Sequence, residues 1–530
     1  MKTKTIYKTL MAAIFIFSVS ACESFLEEEN LSGTDSNNYF VDEDSFERVI
    51  ASIYLELRDA YKTYPTDFLG TDLFIASGFP LNKYNDLSVR EDQIKKAWEA
   101  YYKVIQNCNT VITRSPDIDI SNEIRNSGVA EAKTIRALMY FKLIQQFGDV
   151  PLVLEEVNSD KVDYVRESEQ LIYQQIISDL EESIETLPVS TDQFGRVTKG
   201  MARHLLSKIY LTRGYLSYGN PSDFTRAAEL ADLIIKSNQY RLLDRYEEVF
   251  KSDNQMNDEI IFSIQYTNQV AANGKGNNKH QIAKYSLDGM DGYARISSVY
   301  SRPAGFTNAT PYLYSLFDEF DAEDTRNEVS FHYTLYAIVD GTNVSTGDTI
   351  THYPRVPWTD DQKAAVPYPV INPDEYNDNA YPFFKKFDDF TPYGDNDGTR
   401  DTYVFRLAGT YLLGAEAHFK ANNTAKALEY INVIRRRAAI SETDKSAMEI
   451  SVDKLSIDFI LEESARELAG ETERWNDLKR TGKLIERALA FNEDVKYHST
   501  IEAFHLIRPI PQSEIDLSGG SLVQNPGYGF

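Results

Sequence analysis

The sequence predicts a mainly α-helical scaffold built from paired, repeat-like helices, with one large loop-rich insertion that contains short strands. Two observations carry this prediction. Apolar residues recur at helical spacing over residues 44–240 and again over 403–490, whereas residues 241–402 are dense in Gly, Asn, Asp, Pro and Tyr. Paired helices must stack on one another to bury their apolar faces, so the pattern indicates one helical body that carries a loop-built region.

The first helices have recognisable ends. Apolar side chains step by three or four residues through 46–53, 132–143, 201–209 and 227–235. We expect the first helix to open after 42–45 and the second to stop at Gly148, with Pro151 just beyond it. The third run stops at Gly214 and the fourth forms its partner, so these two predict a packed helix pair.

The late part of the chain repeats this design. Apolar steps of three and four over 408–419 and 428–438 predict two helices joined by a short turn at 422–424, with Thr424 as N-cap. The unit spans about 36 residues, close to the 34 of a tetratricopeptide repeat. The sequence therefore favours a tetratricopeptide-like scaffold.

Residues 241–402 form the predicted working surface. Short β-like runs at 259–264 and 330–339 punctuate a long stretch of turn residues. A stretch of about 160 residues with few helices exceeds what a connection requires. Because loops carried on a rigid scaffold usually hold the binding residues, we expect ligand binding here.

The N-terminus predicts a lipid-anchored protein. Lys2, Lys4 and Lys8 precede an apolar run at 10–19, which is too short to span a bilayer but suits a signal peptide. Small residues lead into Cys22, as in a bacterial lipobox, so residues 1–21 are expected to be removed and Cys22 acylated. The acidic stretch 23–29 that follows resembles an export signal for the outer surface of the outer membrane.

Charge and cysteine content exclude several classes of protein. The 530 residues contain 55 Lys and Arg against 81 Asp and Glu, a formal charge of −26, which disfavours nucleic acid and electrostatic docking on anionic lipid. With Cys22 acylated, Cys108 stands alone and no disulfide framework can form. Cys108 lies in a stretch of helical spacing, so we expect a small buried side chain and not a nucleophile.

The sequence contains no recognised catalytic motif. It has no G-x-S-x-G elbow, no H-E-x-x-H pair and no Walker A loop, and its seven histidines lack metal-ligand spacing. We therefore expect no enzyme activity, no metal site and no cofactor. The run 395–398 is similar to part of a calcium loop, but the closing acid at the twelfth position is absent, so a structural Ca²⁺ is only left open.

A set of motifs in a fixed order resembles one known family. They lie at 98–109, 131–141, 147–152, 406–417, 431–438, 467–480 and 524–528, and include Phe147-Gly148-Asp149-Val150-Pro151-Leu152 and Arg474-Trp475-Asn476-Asp477-Leu478-Lys479-Arg480. Behind a lipobox, they resemble the SusD/RagB family of outer-membrane nutrient-binding lipoproteins. The resemblance covers nearly the whole chain and is weakest over 265–400.

The resemblance implies a function and partners. Members cap a SusC-like TonB-dependent outer-membrane transporter, capture an oligosaccharide at the cell surface, and pass it inward without catalysis. The periodicity and composition divide the chain into a signal peptide (1–21), an N-terminal helical scaffold (22–240), a loop-rich ligand-binding region (241–402), a C-terminal helical part (403–490) and a closing tail (491–530). Capture of peptides by the same architecture, as in RagB-like members, is the first alternative. A helical-repeat adaptor for other proteins and a glycoside hydrolase are the others.

The candidate binding residues follow from sugar chemistry. A sugar offers C–H patches that stack on flat aromatic rings and hydroxyls that bond to planar amides, carboxylates and guanidiniums. Trp358 is the first candidate, since it is the only Trp outside the helical blocks, while Trp98 and Trp475 are expected in the core. The remaining candidates combine aromatic rings and polar groups of the loop region with an N-terminal loop: Tyr285, Tyr293, Arg295, Tyr300, Phe306, Asp72, Asn82 and Tyr84.

Overall fold

The fold is that of a computed structural model, which describes residues 40, 42–62, 65–76, 78–157, 163–267, 269, 276–295, 299–304, 307–320, 323–390, 397–471 and 473–529. Cys22 and the signal peptide, Phe306, and residues 395–396 of the calcium-like run lie outside these residues. Among the described residues, no helix is long and apolar enough to cross a membrane.

Helices dominate the N-terminal part. In chain order, and with one short strand, the elements are α1 (Glu43–Lys62), α2 (Pro65–Phe68), β1 (Phe74–Ile75), α3 (Pro80–Lys83), α4 (Asp92–Arg114), α5 (Asn122–Phe147), α6 (Glu169–Thr186), α7 (Lys199–Gly214), α8 (Ser222–Ile235) and α9 (Tyr246–Val249). The predicted helices are confirmed here.

The loop-rich part has short elements, and helices return after it. The loop region contains β2 (Ile260–Ile264), β3 (Asn308–Ala309), α10 (Pro311–Ser315), α11 (Thr325–Ser330), β4 (Phe331–His332), β5 (Thr334–Tyr336), β6 (Thr349–His352), α12 (Asp360–Ala364), β7 (Phe383–Phe384) and β8 (Thr402–Arg406). The C-terminal elements are α13 (Leu407–Lys420), α14 (Thr424–Ala438), α15 (Lys445–Met448), α16 (Ile457–Leu468), α17 (Arg474–Arg480), α18 (Leu484–Phe491), α19 (Glu493–His498) and α20 (Gln512–Leu517).

The long helices stack in one continuous series. Helix α1 packs on α4, and α4, α5, α6 and α7 each pack on the next helix along the chain. Helix α8 then packs on α13, far away in sequence, and α13 packs on α14. The predicted helical-repeat fold is confirmed, and the loop-rich region is an insertion between two helices that are neighbours in space.

Local signals explain the helix ends. Ser121, Ser168 and Thr198 each accept a hydrogen bond at the N-terminus of their helix. Gly148 closes α5 at a φ of 69°, which an L side chain rarely adopts. The N-cap of α14 is Asn423, whose side chain accepts from the Lys426 N–H, and not Thr424 as predicted. Asn and Thr are both good N-caps, and because the helix begins at Thr424, the cap position falls on the preceding Asn423.

An antiparallel strand pair closes the base of the insertion. Strand β2 pairs with β8, from Ile260 opposite Arg406 to Ile264 opposite Thr402. Every residue of both strands is buried. The pair therefore ties the two ends of the loop region to each other and to helix α13, which begins at Leu407 directly after β8.

Buried charges join the loop region to the C-terminal helices. We call this cluster the ionic seam: the carboxylates of Glu259, Asp324, Glu463, Glu467 and Glu471 with the cations of Arg326, Lys386, Arg406, Arg435 and Arg437. All ten side chains are buried. The single guanidinium of Arg406 pairs with three of these carboxylates, those of Glu259, Glu467 and Glu471, at N···O distances of 2.6–2.7 Å.

The remaining predictions about the core are confirmed. Trp98 and Trp475 are buried, and Cys108 is fully buried in α4. Burial raises the pKa of the Cys108 thiol well above its usual value, so it stays protonated and unreactive.

Candidate functional site

The outward side of the β5–β6 hairpin carries an aromatic surface. Thr334 on β5 pairs with His352 on β6, and its hydroxyl lies 2.9 Å from His352 Nδ1. The His352 ring lies against Trp358, with ring centroids 5.1 Å apart and the planes tilted by 52°. Tyr336, two residues after Thr334, is 47% exposed, while Leu335 between them is buried. We call Tyr336, His352 and Trp358 the aromatic face.

A two-way amide clamp holds Trp358 in place. The Asn372 side chain accepts from the Trp358 N–H at 2.9 Å and donates to the Trp358 carbonyl at 3.0 Å. The Asn372 N–H donates to Glu375 at 2.7 Å, and Glu375 pairs with Lys363 of α12. The hydrogen bond from Lys363 lowers the pKa of Glu375, so this carboxylate stays charged. The half-buried indole is therefore mounted on a fixed backbone.

Two predicted binding residues support the hairpin from below. The Tyr300 hydroxyl accepts from the Tyr336 N–H at 2.6 Å, and the Tyr285 hydroxyl lies 2.6 Å from that of Tyr353. Burial raises the pKa of Tyr300 to about 12. Because Tyr285 and Tyr300 are buried, the structure replaces their predicted binding role with a packing role.

Tyr293 and Arg295 lie near the surface of the same region. Tyr293 is half-buried and donates from its hydroxyl to the Arg295 carbonyl at 2.9 Å, while the Arg295 side chain is exposed. The preceding Asp291 accepts from the backbone N–H groups of Thr342 and Asn343, in the loop between β5 and β6. These bonds fix the segment against the hairpin, so both residues stay candidates for ligand contact.

The N-terminal candidates have structural roles. Asp72 is fully buried and accepts from Arg474 and Arg487 at 2.7–2.9 Å. Burial opposes its charge, but the two guanidiniums outweigh burial and lower its pKa. Buried Asn82 bonds to Asp494 and Asn492.

Tyr84 is the third of these candidates, and its buried hydroxyl donates to the Gly70 carbonyl. The sequence could not show this, because the partners of Asp72 and Asn82 lie some 400 positions away, in the C-terminal helices. The structure thus corrects the predicted binding role of Asp72, Asn82 and Tyr84, which join the two ends of the chain.

Two members of the aromatic face were missed in the sequence. Tyr336 and His352 could have been found from the alternation within 330–339 and 349–352, which places every second side chain on one side of a strand. Among the described residues, no group of three or more His, Cys, Asp or Glu side chains is placed to hold a metal ion.

Comparison with known proteins places this geometry in a family. Residues 251–528 match the model of the SusD family, and residues 24–211 match a model described as "Starch-binding associating with outer membrane". The chain belongs to the SusD family. The fold and the family that the motifs predicted are thereby confirmed.

Relatives of this SusD-family protein match over almost their whole length. SusD-like protein P25 of Formosa agariphila is 26% identical over 97% of both chains, and a SusD-like protein of Bacteroides ovatus is 24% identical over 90% of this chain and 82% of its own. Among solved structures, a laminarin binding SusD-like protein is 25% identical, with a TM-score of 0.71 over 92% of this chain and 100% of its own. The surface glycan-binding protein A of Bacteroides thetaiotaomicron, solved with laminarihexaose, shares the fold at 21% identity and a TM-score of 0.70, over 92% and 100% of the chains.

Proposed function

We propose that this SusD-family protein binds an extracellular glycan or oligosaccharide and delivers it to a partner SusC-like TonB-dependent outer-membrane transporter. The observation that carries the proposal is the aromatic face: Trp358 beside His352, with the exposed Tyr336 on the same hairpin. Tyr293 and Arg295 are further proposed contacts. In this role the protein captures its ligand without catalysis and without a metal cofactor.

The chemistry of the face suits a sugar. Flat rings offer stacking surfaces for the C–H faces of a pyranose, worth about 0.5–1.5 kcal/mol beyond the area they bury. The Thr334 hydroxyl lies beside the His352 ring, and Tyr336 contributes a phenol hydroxyl of its own. The clamp from Asn372 fixes Trp358 before the ligand arrives, so little ordering entropy is lost on binding.

The comparisons support the proposal in two ways. One relative with the same fold is named for laminarin binding, and another was solved with laminarihexaose. The description of the model that matches residues 24–211 supports a place at the outer membrane. We propose that acylated Cys22 anchors the chain there, with the folded part facing the cell exterior.

The test is a binding screen on the purified protein with a glycan panel that includes laminarin oligosaccharides, followed by calorimetry. Trp358→Ala removes the central ring, and we expect an affinity loss of about tenfold or more, with the unfolding midpoint nearly unchanged. Tyr497→Ala is the matched control, because Tyr497 is 85% exposed and lies on α19, which is not part of the loop-rich insertion. It should leave affinity unchanged.

Three outcomes of these experiments would change the proposal. Wild-type affinity in the Trp358 variant would remove this residue from the site. Binding of peptides with no glycan binding would move the proposal to peptide capture. Release of shortened oligosaccharides would show a hydrolase.

A further inference from the structure

The aromatic face lies within residues 331–384, a segment whose two ends pair with each other. Strand β4 at its start pairs with β7 at its end, with Phe331 opposite Phe384. The structure describes every residue of this segment. The segment contains seven Asp or Glu against two Lys or Arg, a formal charge of −5, so the face is set in acidic surroundings.

Both cations of the segment already have partners. Lys363 forms an ion pair with Glu375 at 2.6 Å, and the Arg355 guanidinium lies over the Tyr333 ring, 5.7 Å from its centroid. Burial lowers the pKa of His352, so its ring is uncharged at neutral pH. The face itself therefore carries no positive charge at neutral pH.

Two carboxylates follow Trp358 directly in the chain. Asp360 and Asp361 lie in the first turn of α12, which begins after the N-cap Thr359. A capping box fixes this turn, in which the Thr359 N–H donates to the Gln362 side chain at 2.8 Å. Both carboxylates are exposed, and neither forms an ion pair or a side-chain hydrogen bond with another described residue.

Asp374 supplies a third carboxylate. It comes two residues after Asn372, whose amide holds the backbone of Trp358. Its side chain is exposed and, within the part of the chain that the structure describes, it has no partner either. Arg295, an exposed cation of the preceding segment, contributes a single positive charge, which the three carboxylates outweigh.

These charges are close enough to act on a bound ligand. Three residues of chain span at most about 10 Å, so the backbones of Asp360 and Asp361 lie within that distance of Trp358. The Debye length at physiological salt is about 8 Å, so salt screens these charges only in part. A carboxylate or sulfate group on a stacked sugar is repelled by like charges, whereas a sugar hydroxyl can donate a hydrogen bond to them.

We propose that Asp360, Asp361 and Asp374 make the aromatic face selective for uncharged glycans and exclude glycans that carry uronate or sulfate groups. The inference rests on the proposed function and names the class of substrate. The rings supply stacking to any pyranose, and the carboxylates decide which pyranoses are admitted, because selectivity arises as much from repulsion of the wrong ligand as from attraction of the right one.

Tryptophan fluorescence measures these charges without any glycan. The chain has three Trp, of which Trp98 and Trp475 are buried, so iodide in solution quenches mainly Trp358. The triple variant Asp360→Asn, Asp361→Asn and Asp374→Asn should raise the iodide quenching constant about twofold or more at low ionic strength. Quenching by uncharged acrylamide should stay the same, since the exposure of the ring is unchanged.

A second triple variant is the matched control. Asp119→Asn with Glu123→Gln and Glu185→Gln removes the same charge from exposed residues of the helical body. Its iodide quenching should stay that of the wild type. An unchanged constant in the first triple variant, or an equal rise in both, would overturn the inference.

Calorimetry then tests the selectivity itself. The probes are laminarihexaose, or the neutral oligosaccharide that binds best in the panel, and the same oligosaccharide with its C6 hydroxymethyl groups oxidised to carboxylates. The wild type should bind the oxidised probe at least about tenfold more weakly at low salt, and added salt should narrow the difference. The first triple variant should bind the two probes within about threefold of each other.

These outcomes separate the inference from the proposed function. Equal affinity of the wild type for the two probes, or an unchanged difference in the first triple variant, would overturn the selectivity and leave glycan binding in place. Absence of binding to every glycan of the panel would overturn the proposed function and this inference with it.

Discussion

The ionic seam and the aromatic face are two boundaries of the loop-rich insertion, and they are built from different kinds of side chain. At its inner boundary the insertion meets the helices through buried ion pairs, with Arg326 and Arg406 at the centre. At its outer boundary it presents half-exposed rings mounted on a short hairpin. Charged groups need precise partners when buried, whereas rings offer a ligand a surface without a large desolvation cost.

The difference predicts where each region is sensitive to mutation. Removing one member of a buried ion pair leaves the other charge without compensation, which costs far more than the pair itself contributes. Removing an exposed ring costs the fold little, because the ring buries little area there. Mutations in the seam should therefore reduce stability, and mutations in the face should reduce affinity.

The largest expected effect is on the seam. Arg406→Met leaves Glu259, Glu467 and Glu471 without their shared cation, and we expect the free energy of unfolding to fall by about 3–5 kcal/mol. Arg241→Met is the matched control, because the Arg241–Asp258 pair is exposed and contributes little. Denaturant unfolding measures both, and an equal, small effect in the two variants would contradict the comparison.

The second largest expected effect is the loss of stability of the ionic seam in acid. Burial disfavours the charge of Glu463, but three neighbouring guanidiniums, of which Arg326 acts most strongly, lower its pKa to about 2 from an ordinary value of 4.5. The unfolded chain therefore binds this proton first as the pH falls. Stability is complete above about pH 4.5 and declines towards pH 2, by roughly 3 kcal/mol from this group.

Urea unfolding at a series of pH values measures this decline. The Glu463→Gln variant lacks the titrating group, so its stability should fall less steeply between pH 4.5 and 2. Identical slopes in the two proteins would exclude Glu463 as a source of acid sensitivity.

The smallest of these effects concerns the mount of the aromatic face. Asn372→Asp keeps the acceptor for the Trp358 N–H but removes the donor to its carbonyl, so glycan affinity should fall by about 0.5–1 kcal/mol, less than on removal of the ring, with little change in the unfolding midpoint. In acid, protonation of the introduced carboxyl restores a donor, and the affinity relative to wild type should recover. Asn379→Asp changes an exposed amide nearby and should have no effect.

Calorimetry at neutral and acid pH follows the clamp directly. An unchanged affinity in the Asn372 variant, beside a large loss in the Trp358 variant, would show that the ring binds without needing its clamp. If both variants lose glycan affinity and the affinity of the Asn372 variant does not recover in acid, the substitution has disturbed the loop in general and not the clamp.

Apolar periodicity and helix-end signals predicted correctly those features that depend on residues close together in the sequence. The helices that end at Gly148 and Gly214 and the buried Trp98, Cys108 and Trp475 were predictable, because helical spacing and burial are local properties. The exact cap of α14 was not, since Asn423 and Thr424 are both good caps and one residue of register separates them.

The sequence by itself determined the helical-repeat class, the loop-rich insertion and the family, because these depend on local periodicity, composition and the order of motifs. Only the tertiary structure decided which polar and aromatic residues face outward. Asp72 and Asn82 look like site residues until their partners arrive from the far end of the chain. Tyr285 and Tyr300 look like stacking rings until the hairpin covers them. Burial is set by contacts between distant segments, and no window of sequence contains both sides of such a contact.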